Sequence, residues 1–282
     1  LIKALVDFGS LTYSFLSGIG VPLVAKSFDR HSSCKKAILI GNGPSLKDDV
    51  DQILRQRQGA SLFCVNYFAT TDLFWKFKPE YYVLADPLFW REDVHENFKI
   101  RNVELFDRLQ QVDWNMTLIC QKKGFQKISK LFKNHQFIKI SWVKSRARQF
   151  NLIHFNILAL KFKICSPYII NVLVMSLWCA IELKFEDIDI YGADFSGFKD
   201  YFVDQQTNRV VTDSSHFYKN SKAEHQANAK YINASPKMIH IRLLQAQQSF
   251  YQMYVLSLLS KSKGVKVVNK SSMSYLDCFD RN

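Results

Sequence analysis

Short apolar runs, each closed by a polar or turn-forming residue, recur along most of the chain. They are KAILIG (36–41), SLFCVN (61–66), EYYVLAD (80–86), NMTLIC (115–120) and QFIKIS (136–141). Their length, lack of helical spacing and β-branched content predict buried strands. A further strand is predicted in FEDIDIYGADF and a last one in GVKVVNKS (264–271). Between the first two strands Val50, Ile53 and Leu54 recur at helical spacing, and Gly59 stops the pattern. Ser45-x-x-Asp48 reads as a capping box for that helix. CSPYIINVLVMSLWCAIEL (165–183) reads as one long apolar helix, and residues 221–262 as helical throughout. Strands alternating with helices predict an α/β, Rossmann-like domain, with a mostly parallel sheet and helices on both faces. Residues 196–222 are polar, turn-rich and too long for a plain connection, which predicts a lid.

The N-terminal stretch differs. Residues 8–25 are apolar or small and carry no charge, but Gly9, Gly18, Gly20 and Pro22 interrupt them. A spanning helix needs about 20 predominantly apolar residues. An amphipathic segment, packed on the domain or lying in a membrane interface, is expected instead. The predicted organisation is therefore an apolar segment over 1–34 and an α/β domain over 35–282.

Charge adds a partner class. The net charge is +13, and no Asp or Glu occurs between Asp113 and Glu182. That stretch carries Lys122, Lys123, Lys127, Lys130, Lys133, Lys139, Lys144, Arg146, Arg148, Lys161 and Lys163. A single-sign field of this size attracts polyanions. No helix-turn-helix, zinc-finger or ribonucleoprotein signature is present, so nucleic acid is set aside. An anionic membrane surface or glycolipid is expected. The six cysteines are scattered, with no C-x-x-C and no zinc spacing, and are read as reduced core residues of a cytosolic protein. No metal is expected.

The candidate chemistry lies at the strand ends. Four strands end in Gly41-Asn42, Asn66, Asp86 and Gly192/Asp194, and ligands of open α/β sheets bind at such carboxyl ends. The first turn, Gly41-Asn42-Gly43-Pro44-Ser45, offers backbone N–H groups beside a helix N-terminus, which suits phosphate. It is neither a Walker A loop nor a complete G-x-G-x-x-G fingerprint. A nucleotide held without a kinase lysine suits a leaving group from which a sugar departs. Of the seven histidines, His216 lies in the lid segment VVTDSSHFYKN and is the candidate general base.

AILIGNGPSLK, FCVNYF, IDIYGADFS, SSHFYKNS and VNKSSMSYLDCF, in this order, resemble the bacterial sialyltransferases of glycosyltransferase family 42. The resemblance runs over roughly residues 35–280. It implies a GT-A-like Rossmann domain with a lid, transferring sialic acid from CMP-sialic acid without metal and with inversion. Asn42 and its flanking glycines would meet the CMP phosphate and ribose, Asn66 the nucleotide, and His216 would deprotonate the acceptor hydroxyl. The implied acceptor is a lipooligosaccharide or other glycan, at the inner face of the bacterial inner membrane. The chain departs from the family at three places, one being around Ile169–Val172, where the family's arginine and serine near the start of its long helix are absent. Asp86 stands where the family has an asparagine. Of the two tyrosines that stabilise the departing phosphate, the first is Ser196 here, and Tyr201 would serve as the second.

LADP after the third strand, with GADF, also resembles a family that includes archaeal 6-hydroxymethylpterin pyrophosphokinases and motility-associated glycosyl-transfer proteins. That alternative implies Mg²⁺, ATP and metal ligands at Asp86 and Asp194. A third class, a non-enzymatic membrane-surface binder, rests on the acid-free segment. Homo-oligomerisation is left open.

Overall fold

The computed structural model describes residues 2–18, 22–25, 28–30, 33–212 and 238–281. Seven strands form one sheet in which every neighbouring pair is parallel. They are β1 (Lys36–Ile40), β2 (Ala60–Val65), β3 (Tyr81–Leu84), β4 (Met116–Gln121), β5 (Ile138–Val143), β6 (Asp187–Tyr191) and, after a hairpin, β9 (Lys266–Asn269). The spatial order is β5-β4-β3-β2-β1-β6-β9. The chain thus builds outward from β1 to β5, then returns to lay β6 on the opposite side of β1. The direction of winding reverses between β1 and β6, with Leu39 opposite Phe63 on one side and Ile190 on the other.

Each strand sends alternate side chains to opposite faces, and the buried residues accordingly form two cores. Ala37, Leu39, Phe63, Val65, Tyr81 and Val83 belong to one. Helices α7 (Val172–Glu182) and α8 (Ile239–Ser262) cover it, with α6 (Ile153–Lys161) packed on α8. Ile38, Ile40, Leu62, Cys64, Tyr82 and Leu84 belong to the other. It is covered by α2 (Leu46–Gln56), α3 (Asp72–Phe77), α4 (Glu96–Gln110) and α5 (Lys122–Leu131). A strand buried on both faces cannot alternate apolar with polar residues, which is why these segments read as continuous apolar runs.

Three expectations change. Ser45 does not make a capping box: its backbone is in the right-handed helical region and its side chain accepts no bond from the first turn. The long apolar helix begins at Val172 rather than 165. Pro167 disfavours helix before it, and the Asn171 side chain caps α7 by accepting from the Leu173 N–H at 2.8 Å. Within the lid segment a short 3₁₀ turn, Ser196–Asp200, leads into an antiparallel hairpin of β7 (Tyr201–Asp204) and β8 (Arg209–Thr212). The remainder of that segment, including His216, and residues 221–237 of the predicted last helix lie outside the described residues.

The N-terminal segment forms α1 (Ile2–Leu16). Residues 22–25 then run antiparallel to the edge strand β5, with Val24 bridging Val143 and the Ala25 N–H donating to the Trp142 carbonyl at 3.0 Å. That pairing covers part of an otherwise open sheet edge. No helix among the described residues is long and apolar enough to cross a membrane.

The six cysteines are all free of disulfides, and Cys64, Cys120, Cys165 and Cys179 are buried. Burial pushes the thiols of Cys120 and Cys278 up to about 12. A thiol reagent at neutral pH should label half-buried Cys34 first, Cys278 slowly, and the four buried cysteines only after unfolding. Prompt labelling of a buried cysteine in the folded chain would contradict this packing.

Candidate functional site

The ends of β1 and β6 meet backbone to backbone. The Gly41 N–H donates to the Tyr191 carbonyl at 2.8 Å, and the Gly43 N–H to the Gly192 carbonyl at 2.9 Å. A Cβ on Gly41 would lie 2.4 Å from the Gly192 oxygen, and one on Gly43 would lie 2.1 Å from the Asp194 carboxylate. Gly192 has φ +59°, a left-handed conformation that glycine adopts at little cost. The close approach implied by the glycines of the first turn is therefore made by the chain's own second turn.

Asp194 seals this contact. Its Oδ2 accepts the Ser45 N–H at 2.9 Å, and its Oδ1 accepts the Ser45 hydroxyl at 2.5 Å. Both residues are buried. A carboxylate 149 residues away in sequence thus occupies the N-terminus of α2, where the helix dipole favours negative charge. The amides of Gly41, Gly43, Ser45 and Leu46 all bond within the protein. The turn therefore presents Asn42, Gly43 and Pro44 to a ligand rather than a ring of open amides.

The last predicted motif, VNKSSMSYL, latches the same place. Ala193 N–H donates to the Ser271 hydroxyl at 2.9 Å, and the Ser274 hydroxyl donates to the Ala193 carbonyl at 2.6 Å. Tyr275 N–H donates to the Asp194 carbonyl, and Ser272 N–H to the buried Asp49 carboxylate at 3.2 Å. Phe195, next along, has φ +53°, an outlier for a bulky residue. Its ring packs on Phe250 of α8 with centroids 5.4 Å apart. Backbone strain of this kind persists where the surroundings over-determine it, and it gathers at functional sites.

Above this junction lies a cavity of about 680 Å³. Asn42, Asn66, Asp86 and Asp194 all border it, so the polar ends of β1, β2, β3 and β6 converge as the sequence predicts. Asn66 takes a left-handed conformation, φ +51°. Its Oδ1 is buried without a hydrogen-bond partner among the described residues. Asn42 donates from Nδ2 to the Val65 carbonyl at 3.2 Å, tying the first two strand ends together. Asp86 is exposed on the wall, and its Oδ1 accepts from the Leu88 N–H at 2.9 Å.

The far wall is the non-helical stretch from Tyr168 to Asn171 and the first residues of α7, with Gln245 from α8. Gln121, at the end of β4, also borders the cavity and donates to the Ala85 carbonyl at 2.6 Å. Sequence reasoning passed over Gln121, Asn171 and Gln245. Gln121 was visible by the same rule that picked Asn66, a polar residue closing an apolar run. Asn171 carried a cap signal, whereas Gln245 sits inside a long helix, away from any cap or motif, and carries none.

Tyr201 is not on the described wall; its neighbour Asp200, with Ser196 and Gly197, is. Burial raises the Tyr201 phenol above its usual value and the Arg242 charge lowers it, the net shift being upward. The phenol therefore keeps its proton at neutral pH and can act as a donor. No group of three or more metal-ligating side chains occurs among the described residues. Nor does any Lys or Arg border the cavity among them.

No family model matches the chain, and no curated protein does. Among solved structures it is similar to the MAf glycosyltransferase of Magnetospirillum magneticum, with a TM-score of 0.49 and 10% identity. The similarity covers 90% of this chain and 35% of that one, so the chain spans about a third of its length.

Two outcomes test the junction. Gly41→Ala should destabilise the protein by roughly 1–3 kcal/mol or more, because backbone lies in the way; an unchanged urea midpoint would contradict it. Burial raises the Asp194 carboxyl above its usual 3.8, and the Ser45 bonds only partly offset this. The folded chain then holds this proton to higher pH than the unfolded chain. Its contribution to stability is present below 3.8 and is lost as pH rises through the folded value. In urea denaturation from about pH 4 to pH 7, Asp194→Asn should gain relative to wild type; a shift the other way would contradict the burial.

Proposed function

We propose that this chain is a glycosyltransferase that moves a sialic or related nonulosonic acid from a CMP-activated donor to a hydroxyl of a glycan or lipooligosaccharide. The carrying observation is the convergence of Asn42, Asn66 and Asp86 on one cavity at the reversal point between β1 and β6, where open α/β sheets hold ligands. In this reading Asn42, Gly43 and Pro44 face the phosphate and ribose, while Gly41, Ser45 and Asp194 hold the turn that positions them. Asn66, with its open Oδ1, faces the nucleoside, and Asp86 accepts from ribose hydroxyls.

The cavity's charge bears on the donor. With no Lys or Arg on the described wall and Asp86 on it, a diphosphate would be poorly matched. A nucleoside monophosphate leaving group carries less charge and asks for hydrogen-bond donors instead, a task the protonated Tyr201 phenol can perform on lid closure. His216 takes the acceptor proton as the hydroxyl attacks the anomeric carbon and the bond to the CMP phosphate oxygen breaks. Such an attack inverts the anomeric centre and needs no metal.

Exposed Asp86 also supports a second reading, in which a divalent cation bridges it to a diphosphate or triphosphate. Asp194 suits that reading less, since both of its oxygens already bond to Ser45.

Calorimetric titration with CMP, UMP and ADP, in EDTA and then in Mg²⁺, separates the two. Metal-independent CMP binding, weakened at least tenfold by Asn42→Ala in a chain of unchanged circular dichroism, is expected. Binding of an adenine nucleotide only with Mg²⁺ would overturn the first reading and support the second. His216→Ala should abolish transfer while leaving CMP affinity within a few-fold of wild type; full transfer by that variant would remove His216 from the mechanism.

A further inference from the structure

Helix α1 is packed the wrong way out for a soluble helix. The residues it turns inward are polar, Asp7 and Ser14, each 2% exposed. Asp7 accepts from the Asn151 N–H at 3.0 Å, the Asn151 side chain at 2.9 Å and the Leu152 N–H at 2.7 Å, and so caps the N-terminus of α6. Desolvation opposes ionisation of Asp7, but these bonds outweigh it and hold the carboxyl below its usual value. The helix is therefore fixed in this orientation by a charge-assisted cap, with half-buried Leu11 as its apolar contact to the core.

The consequence is an apolar outer face. Ile2, Leu5, Val6, Phe8, Phe15 and Leu16 are between 54% and 78% exposed. The one acid of α1 is the inward Asp7, and its one cation is the exposed Lys3 near the start of the helix. Monomeric soluble proteins rarely leave such a continuous patch open.

What borders this face selects its occupant. The Arg148 guanidinium lies 5.4 Å from the ring centroid of exposed Tyr13. Arg146 lies against Gly18, just beyond α1, but is part-buried with its guanidinium donating to the Ile164 carbonyl, so the exposed border is Arg148. The neighbouring α6 ends in exposed Lys161 and Phe162, the latter 67% exposed. All of these cations belong to the stretch that contains no Asp or Glu. A second copy docking face to face would bring like charges together, which disfavours it. An apolar helix face with a basic border suits an anionic bilayer surface.

We propose that α1 is an interfacial anchor whose outer face enters the headgroup region of an anionic membrane, with Arg148 and Lys161 on lipid phosphates. The anchoring does not depend on the identity of the donor nucleotide. The experiment is co-sedimentation of the chain with phosphatidylcholine vesicles and with vesicles containing roughly a third phosphatidylglycerol. Binding is expected to the anionic vesicles, to fall with added salt, and to weaken at least tenfold in Leu5→Asp and Phe8→Asp. Lys161→Ala should weaken it about fivefold. These are exposed positions, so circular dichroism should be unchanged. Absence of binding, or binding equal in wild type and in the two Asp variants, would overturn the anchor. So would a dimer in sedimentation velocity that Leu5→Asp dissociates, without vesicle binding by the wild type. No nucleotide enters the assay, so its failure leaves the proposed transfer chemistry standing.

Discussion

The ends of β1 and β6 touch along their backbones, and neither Gly41 nor Gly43 has room for a side chain there. The reversal of winding makes these two strands neighbours although they are far apart in sequence. Packing their turns together requires glycine on both sides and an acceptor to hold the seam. Asp194 supplies that acceptor, binding the Ser45 amide and hydroxyl in the dry interior. The Ser271–Tyr275 segment then closes over it from the last strand. The cavity, its polar rim and the start of α2 are consequences of this single contact.

The seam also changes what the glycine-rich turn does. The amides of Gly41, Gly43, Ser45 and Leu46 bond internally, so in the proposed reading affinity for the nucleotide comes largely from side chains, above all Asn42 and Asn66, and from the shape of the cavity. The left-handed backbone at Asn66 and Phe195 shows strain stored on opposite sides of that cavity. The sheet side of the cavity is held by this contact, and the 3₁₀ turn Ser196–Asp200 that leads into β7 forms another part of its wall.

The fold was largely legible because strands buried on both faces leave continuous apolar runs that few other arrangements produce. The polar strand ends were legible for a related reason: each closes an apolar run with a residue the core would reject. The capping box at Ser45 misled because a distant carboxylate outcompetes Asp48 for the same helix end, and no local pattern announces Asp194. The start of α7 misled because composition outweighed Pro167 and the Asn171 cap, both of which were in plain view. The orientation of α1 could not be read from its apolar content; it depends on Asp7 finding the amides of Asn151 and Leu152. Gln245 joins the wall only through the packing of α8.

In the proposed reading the nucleotide binds at the junction between β1 and β6. Hydrogen-exchange mass spectrometry with and without CMP tests this directly, since it reads every segment at once. Slower exchange is predicted in peptides spanning 42–46, 66–70 and 193–200, with little change in α4, α5 or the outer end of the sheet at β9. Protection confined to those outer elements, or none anywhere at saturating CMP, would contradict it.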